Sequence, residues 1–272
     1  MVASSGSYVL EQLRQPEAET ARLAVRAQLR LDGFPDLLRR HGFPDDGRVL
    51  EIGCGQGLRT KIMATLSDRL SVVGVDRNEV FIEKATRLAE ESELPNLTYL
   101  MADLYDPPFP ADAFDFIYAR LVFMHLSEPE SALRILHHLL KPGGRILIED
   151  ADRDCMFFEP APESFPEYWR NVQNGQRRRG GDPNVGRKLA SYLKANKFND
   201  ICIEVQPILG SGAEIEFMVQ ELLPTLNEYL EPSLRAQGDV ALRDLAQLAQ
   251  DPRATFLHFW FAVSGGRAPA GS

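Results

Sequence analysis

The feature that most constrains this chain is a glycine loop that follows an apolar run, Val49-Leu50-Glu51-Ile52-Gly53-Cys54-Gly55-Gln56-Gly57. An apolar run that ends in glycines is typical of a buried strand that passes into a helix through a tight turn. Glycine permits positive φ and, having no Cβ atom, lets a ligand approach the main chain. The loop predicts a site for a nucleotide-type cofactor, and a simple strand–helix turn is the alternative.

The spacing of the glycines argues against NAD. Leu58 stands where the fingerprint G-x-G-x-x-G requires its third glycine after Gly53 and Gly55. Glu51 precedes the loop, and a carboxylate there would repel a pyrophosphate but attract a cationic amino-acid end. The residues therefore predict a cationic ligand.

The same run resembles the first motif of the class I S-adenosylmethionine-dependent methyltransferases, an acidic residue followed by G-x-G-x-G. The cofactor of that family carries cationic sulfonium and ammonium groups, which agrees with Glu51. Strands predicted at 70–75, 97–101 and 114–119 follow in the order of the family's motifs. The turn Lys141-Pro142-Gly143-Gly144 before a fifth strand at 145–150 is similar to that of small-molecule methyltransferases of the ubiquinone/menaquinone C-methyltransferase group. The resemblance spans residues 47–150 and implies S-adenosyl-L-methionine as the cofactor.

The residues that follow these strands are candidates for cofactor contacts. Asp76 stands about 20 residues after the glycine loop, where a ribose-binding carboxylate is expected in such folds. Capping of the next helix by Asp76 or by Asn78 is the alternative. The resemblance implies that Asp103 contacts the adenine amino group and that Arg120 lies at the cofactor edge. The complete predicted set is Tyr8, Glu51, Gly53, Cys54, Gly55, Arg59, Asp76, Arg77, Ala102, Asp103, Leu104 and Arg120.

Three regions lie outside the motif core. Tyr8 precedes a predicted amphipathic helix at 16–31, and the resemblance implies a lid in which this tyrosine closes over the cofactor; a tail packed on the surface is the alternative. Residues 153–183 are rich in aromatic residues and proline, and residues 214–250 form a helical stretch between strands predicted at 201–205 and 255–263. Ligands of doubly wound sheets bind outside the carboxyl ends of the strands, so these regions predict a cap over an acceptor.

The predicted fold is α/β. As the resemblance implies, it is a Rossmann-like, seven-stranded, mostly parallel sheet with an antiparallel last strand, helices on both faces and a helical, aromatic cap. Periodicity alone gives only α/β. The predicted organisation is an N-terminal lid and helix (1–45), an S-adenosylmethionine-binding core (46–152), and the rest of the core (153–272) with cap insertions at 153–183 and 214–250.

The resemblance implies a methyltransferase that acts on an O, N or C atom of a small-molecule acceptor. His125 follows the fourth strand and is the candidate catalytic base, because imidazole titrates near neutral pH. A histidine that packs against or caps the next helix is the alternative. Methyl transfer to RNA or protein, and an S-adenosylmethionine-binding protein that transfers no methyl group, are the alternative functions.

Composition bears on partners. A net charge of −9 disfavours nucleic acid, whose binding depends on Lys and Arg neutralising phosphates. The run Arg177-Arg178-Arg179 is a local exception that predicts either a solvated surface or a contact with an acidic acceptor. We expect no membrane span, since no segment is apolar for long enough. A homodimer is left open.

The three cysteines, Cys54, Cys155 and Cys202, have neither the spacing of metal ligands nor that of a disulfide framework. We therefore expect no metal site and a cytoplasmic protein. Cys54 lies in the cofactor loop and is expected to fill space there, with a nucleophile as the alternative.

Overall fold

The computed structural model describes residues 7–8 and 31–271. Val9, Leu10 and all but the last residue of the predicted helix at 16–31 lie outside the described residues. The strands form one seven-stranded sheet in the order β3-β2-β1-β4-β5-β7-β6. They are β1 Gly47–Ile52, β2 Leu70–Asp76, β3 Leu97–Met101, β4 Phe114–Arg120, β5 Leu140–Glu159, β6 Asn199–Ser211 and β7 Thr255–Gly266.

The pairing of the strands confirms the predicted fold. Strands β3, β2, β1, β4 and β5 pair with one another in parallel, in that order, and β7 runs antiparallel to both β5 and β6. All carboxyl ends of the parallel strands therefore meet at one edge of the sheet, where ligands of such folds bind.

Helices cover both faces of the sheet. They are α1 Phe34–Arg40, α2 Leu58–Thr65, α3 Glu79–Ser92, α4 Pro129–Leu139, α5 Phe165–Arg178, α6 Leu189–Ala195, α7 Ala213–Phe217, α8 Leu223–Leu226 and α9 Arg235–Leu248. Short 3₁₀ turns lie at Phe123–His125, Gly186–Lys188, Asn227–Tyr229 and Pro232–Leu234, and a π-helical turn lies at Met218–Leu222. Within the described chain, no helix is long and apolar enough to cross a membrane.

The two faces have separate apolar cores. Val49 packs with α1 and α2, whereas its neighbour Leu50 packs on the opposite face with α4 and α6. Successive strand residues point to opposite faces, so a strand covered on both sides reads as a continuous apolar run. This is why the inner strands were recognisable in the sequence.

A third core belongs to the cap, and it begins on the sheet itself. The predicted fifth strand ends at Asp150, but β5 continues to Glu159, after a shift in register between Ala151 and Met156. Phe158 and Phe256, on the extended ends of β5 and β7, pack against α5 and the helices of 213–249. The predicted strand was therefore too short, and the first residues of the predicted 153–183 insertion extend the sheet.

The aromatic residues of this region mostly stabilise the cap. Phe165, Tyr168 and Trp169 are buried in its core, where the rings of Phe165 and Trp169 stack with centroids 5.4 Å apart. Phe157 points away from this core and is exposed. The cap is thus a helical layer with its own hydrophobic centre on an extension of the sheet.

Candidate active site

The glycine loop joins β1 to α2 at the carboxyl edge of the sheet. Gly53, Gly55 and Gly57 have φ of 66°, 55° and 85°, in the left-handed region that glycine tolerates best. A Cβ atom at Gly53 would lie 2.5 Å from Val122, and one at Gly57 would lie 2.5 Å from the ring of Tyr99. A Cβ atom at Gly55 would meet no atom within 4 Å. Gly53 and Gly57 therefore allow close packing, whereas the main chain at Gly55 is open to a ligand.

Glu51 is a buried carboxyl group, 3% exposed. One of its oxygens accepts a hydrogen bond from Thr60 Oγ1 at 2.5 Å. Burial raises its pKa to about 7, although that hydrogen bond and the charges of Arg59 and Arg120 act in the opposite direction. A nearby cation favours the ionised form of a buried carboxyl group. This agrees with the predicted cationic ligand.

Asp76 links the ends of β1 and β2. Its Oδ2 accepts from the Gly55 N–H at 3.0 Å and its Oδ1 from the Asn78 N–H at 2.9 Å. The cap of α3 is Asn78, whose side chain accepts from the Phe81 N–H. Asn78 rather than Asp76 therefore caps that helix. Burial raises the pKa of the Asp76 carboxyl group.

The residues after β3 lie next to Asp76. The Ala102 N–H donates to the Asp76 carbonyl at 3.0 Å. Asp103 is exposed, and its Oδ1 accepts from the Tyr105 N–H at 2.8 Å, whereas Leu104 is buried. The loops after β1, β2 and β3 are thus hydrogen-bonded in series, which brings together most of the predicted cofactor residues.

Arg59 and Arg120 lie beside Glu51 on the face that carries α1. The Arg59 guanidinium lies 5.0 Å from the ring centroid of Phe34, and that of Arg120 lies 4.7 Å from the ring of Trp260. Such stacking orients a guanidinium. Both arginines line a cavity of about 230 Å³, together with Glu149, Glu204 and Gln206 among others. Sequence reasoning missed this cavity, although the charged residues Arg120 and Glu149, which directly follow apolar runs in the inner strands β4 and β5, could have signalled it.

The described part of the N-terminal segment crosses the same edge of the sheet. The Ser7 N–H donates to the His125 carbonyl at 2.8 Å, and the Tyr8 ring lies 5.2 Å from the His125 ring. The Arg77 guanidinium donates to the Tyr8 carbonyl. Arg77 follows β2 and His125 follows β4, with β1 between these strands. Tyr8 therefore lies between the elements that flank the glycine loop, where a lid over the cofactor is predicted.

His125 joins this segment to the cap. Its Nδ1 lies 3.0 Å from Ser7 Oγ and 3.5 Å from the Tyr229 hydroxyl. The preceding Met124 is held by Gln176, which donates to its carbonyl at 2.8 Å, and by Asp150, which accepts its N–H at 3.0 Å. Burial raises the pKa of Asp150 to about 7. The base predicted from the sequence thus lies where the N-terminal segment, the core and the cap meet.

Two residues at this junction were missed. The guanidinium groups of Arg153 and Arg179 both lie over the ring of Tyr229, 5.5 Å and 5.2 Å from its centroid. Neither Tyr229 nor Arg153 stands in a recognisable motif, and only the packing of the cap brings Tyr229 to His125 and Arg153 to Tyr229. Arg179, from the run Arg177-Arg178-Arg179, is exposed and reaches the junction through this ring.

The cysteine of the glycine loop is an unreactive thiol. Cys54 is buried, and burial raises the pKa of its thiol well above the usual range. Since the thiolate is the nucleophile, a protonated thiol supports the expected space-filling role. No cluster of three or more His, Cys, Asp or Glu side chains suited to a metal ion is found within residues 7–8 and 31–271.

Comparison with known proteins decides the family. A family model described as a methyltransferase domain matches residues 50–148. The methyltransferase str2 of Strobilurus tenacellus is 33% identical over 204 residues, which cover 72% of this chain and 70% of that protein. The chain belongs to the methyltransferase family. This confirms the resemblance stated above and the prediction of an S-adenosylmethionine-dependent enzyme.

Further relatives of this methyltransferase agree with that assignment. The ubiquinone/menaquinone biosynthesis C-methyltransferase UbiE of Yersinia enterocolitica is 30% identical over 162 residues, 59% of this chain and 60% of that protein. Among solved structures, YcgJ of Bacillus subtilis has a TM-score of 0.61 at 19% identity, over 87% of this chain and 98% of that one. Phosphoethanolamine N-methyltransferase 2 of Haemonchus contortus, in complex with S-adenosyl-L-methionine, has a TM-score of 0.58 at 20% identity, over 88% and 53%. At such identities the solved structures show a common fold.

Proposed function

We propose that this methyltransferase transfers the methyl group of S-adenosyl-L-methionine to an O, N or C atom of a small molecule held between the glycine loop and the cap. The observation that carries the proposal is the meeting of Tyr8, His125 and Tyr229 at the sheet edge that bears the glycine loop. These residues come from the N-terminal segment, the core and the cap. A site enclosed by such segments suits a small acceptor.

The residues around the glycine loop fit the cofactor. The open side of Gly55 leaves its main chain accessible, and the buried Glu51 carboxyl would face the cationic amino-acid end. Asp76 would hold the ribose hydroxyls through oxygens that now accept backbone N–H groups. Asp103 and its neighbours Ala102 and Leu104 would surround the adenine. Arg77 and Tyr8 would close over it.

When bound, S-adenosylmethionine supplies a methyl group activated by the positive sulfonium sulfur. The chain's own contribution is to align the acceptor with that methyl group and to exclude water. Tyr8, His125 and Tyr229 form a continuous set of contacts suited to both tasks. His125 positions the lid against the cap, and its role as a general base remains a prediction that a pH–rate profile measures.

The proposal also covers the cellular location and the oligomeric state of the protein. All three cysteines are free thiols, which supports a reducing, cytoplasmic environment. Edge strand β6 exposes Ile203, Val205 and Leu209, which supports a homodimer, since apolar patches of this kind mark interaction surfaces.

The test of the function uses the whole chain with S-adenosylmethionine and a panel of small phenols, amines and quinols. We expect S-adenosylhomocysteine and a singly methylated product in equal amounts with at least one acceptor class. His125→Asn is the variant to compare with the parent protein, since it removes the candidate base and keeps a polar side chain of similar reach. If S-adenosylmethionine binds but neither product forms with any acceptor, the protein is a binding protein and the proposal is wrong. Tight binding of NAD without binding of S-adenosylmethionine would also contradict it.

A further inference from the structure

A buried arginine stands at the start of the cap. Arg153 lies on β5, in the stretch between Ala151 and Met156 where the register with β7 shifts. It is 6% exposed. Its Nη1 atom is buried and has no hydrogen-bond partner among the residues that the structure describes. An arginine stays protonated inside a protein. The cap therefore holds a fixed positive charge with an unused donor.

The backbone and the neighbouring rings fix this side chain. The Arg153 N–H donates to the Pro183 carbonyl at 3.0 Å, and its own carbonyl accepts from Trp169 Nε1 at 2.6 Å. The guanidinium lies 5.7 Å from the ring centroid of Trp169 and 5.5 Å from that of Tyr229. The two aromatic rings thus orient the guanidinium, but a ring face carries no oxygen atom that could accept a hydrogen bond from it.

The charged and titratable groups that act on Arg153 are Asp150, Tyr168 and Tyr229. Asp150 already accepts hydrogen bonds from Met124 and Ala151 at its two oxygens. Burial raises its pKa to about 7, so it is only partly ionised at neutral pH and is a weak counterion. A buried cation without a full counterion is costly. Within residues 7–8 and 31–271, Asp150 is the one carboxyl group among the groups that act on Arg153, so a ligand can supply the counterion.

Tyr229 places this charge on the acceptor side of the site. Its ring stacks on Arg153, and its hydroxyl lies 3.5 Å from His125 Nδ1. The glycine loop and Asp76 lie on the other side of His125, toward β1 and β2. A group bound to Arg153 therefore belongs to a molecule other than the cofactor.

We propose that Arg153 binds a carboxylate of the methyl acceptor, so that the enzyme selects acidic small molecules. A carboxylate matches the guanidinium both in charge and in its planar, two-pronged geometry. A single carboxylate also balances the single buried cation. The assignment rests on the proposed function, because it concerns the acceptor of that reaction.

The test measures binding of matched acids and amides to the whole chain saturated with S-adenosylhomocysteine. The pairs are 4-hydroxybenzoate with 4-hydroxybenzamide, and octanoate with octanamide. Each pair differs mainly in charge. We expect the acid to bind at least about tenfold more tightly than the amide in one pair, the scale of a hydrogen bond to a charged group. Arg153→Met should remove this preference and leave the affinity of the amide unchanged.

Two variants separate binding from packing. Arg153→Lys keeps the charge and should keep part of the preference for the acid. Arg179→Met removes the exposed arginine that also lies over the Tyr229 ring and should leave the preference intact. If Arg153 only stabilises the cap, Arg153→Met lowers the melting temperature without changing the ratio of the two affinities, and the proposal is wrong.

The same experiment distinguishes this proposal from the proposed function. Binding of S-adenosylhomocysteine is measured first by calorimetry, and its absence counts against the methyltransferase site as a whole. If S-adenosylhomocysteine binds but the wild-type chain prefers neither acid to its amide, the result contradicts the role of Arg153 and leaves the proposed function standing. This holds whether acid and amide bind equally or neither binds.

Discussion

The ionisation of Glu51 leads to a specific expectation for the pH dependence of cofactor binding. Its pKa is about 7 in the protein without cofactor, against an ordinary value of 4.5. Between these values the folded chain holds a proton that the unfolded chain has released. Stability therefore falls as pH rises from 4.5 through 7, by about 3 kcal/mol in total from this group.

Binding of the cofactor should reverse this preference, because a cationic group placed beside Glu51, as proposed, favours the ionised carboxylate. Binding should then release a proton at acidic pH. At pH 6, one unit below the pKa, about one molecule in ten is ionised, so binding should be about tenfold weaker than at pH 8. Glu51→Gln has nearly the same shape but cannot ionise, and its affinity should stay near the low-pH value of the parent.

Calorimetry in buffers of different ionisation enthalpy counts the protons released. We expect nearly one proton per S-adenosylmethionine at pH 6, about half a proton at pH 7 and almost none above pH 8. Thr60→Val is a useful second variant. It removes the hydrogen bond that lowers the pKa of Glu51 and should move the midpoint to higher pH.

Two results would refute this reasoning. One is an equal affinity of the parent protein for S-adenosylmethionine at pH 6 and pH 8. The other is an unchanged pH dependence in Glu51→Gln, which would assign the titration to another group such as Asp150, whose pKa is also about 7.

Three further expectations concern the loop, the ribose contact and the lid. Gly55→Ala should weaken S-adenosylhomocysteine binding more than it lowers the melting temperature, whereas Gly57→Ala, whose new Cβ would meet Tyr99, should do the opposite; the reverse order would contradict the open side assigned to Gly55. Asp76→Ala should weaken cofactor binding by about 1 to 3 kcal/mol in calorimetry, the cost of losing hydrogen bonds to a charged group, and equal affinities would rule out the ribose contact. Deletion of residues 1–13 should lower the methyl-transfer rate far more than the melting temperature, because a lid aligns reactants without belonging to the core; full turnover in the truncated chain would remove the role of Tyr8.

The cofactor half of the molecule was predictable because its signals are local. Strand β3 was predicted with its observed bounds, Leu97–Met101, since a short, mostly apolar run there lies between Asn96 and Asp103. The glycine loop and Asp76 were found in the same way, from spacing along the chain. The choice between Asp76 and Asn78 as helix cap could not be made from composition, because both residue types cap well.

The extension of β5 was missed because its polar residues are stabilised by distant partners. Asp150 and Asp152 stand where a strand covered on both faces should be apolar, and so they suggested its end. Both are fully buried. Asp150 accepts two backbone N–H groups, and Asp152 is paired with Arg187, whose Nη2 lies 2.6 Å from its Oδ1. These bonds compensate the burial of the carboxyl groups, and those from Met124 and Arg187 follow from the tertiary fold.

The acceptor side depends on such tertiary contacts throughout. Gly175 of α5 shows how close they are, because a Cβ atom there would lie 1.8 Å from the Tyr229 carbonyl oxygen. Only a helix that lacks a side chain at this point can approach Tyr229 so closely, and that approach places the tyrosine against His125 and Arg153. The proposed cofactor contacts thus come from a loop of consecutive residues, whereas the proposed acceptor contacts come from side chains far apart in sequence. Acceptor selectivity can therefore change through cap packing while the cofactor motif stays the same, which is why the motif alone could not name the acceptor.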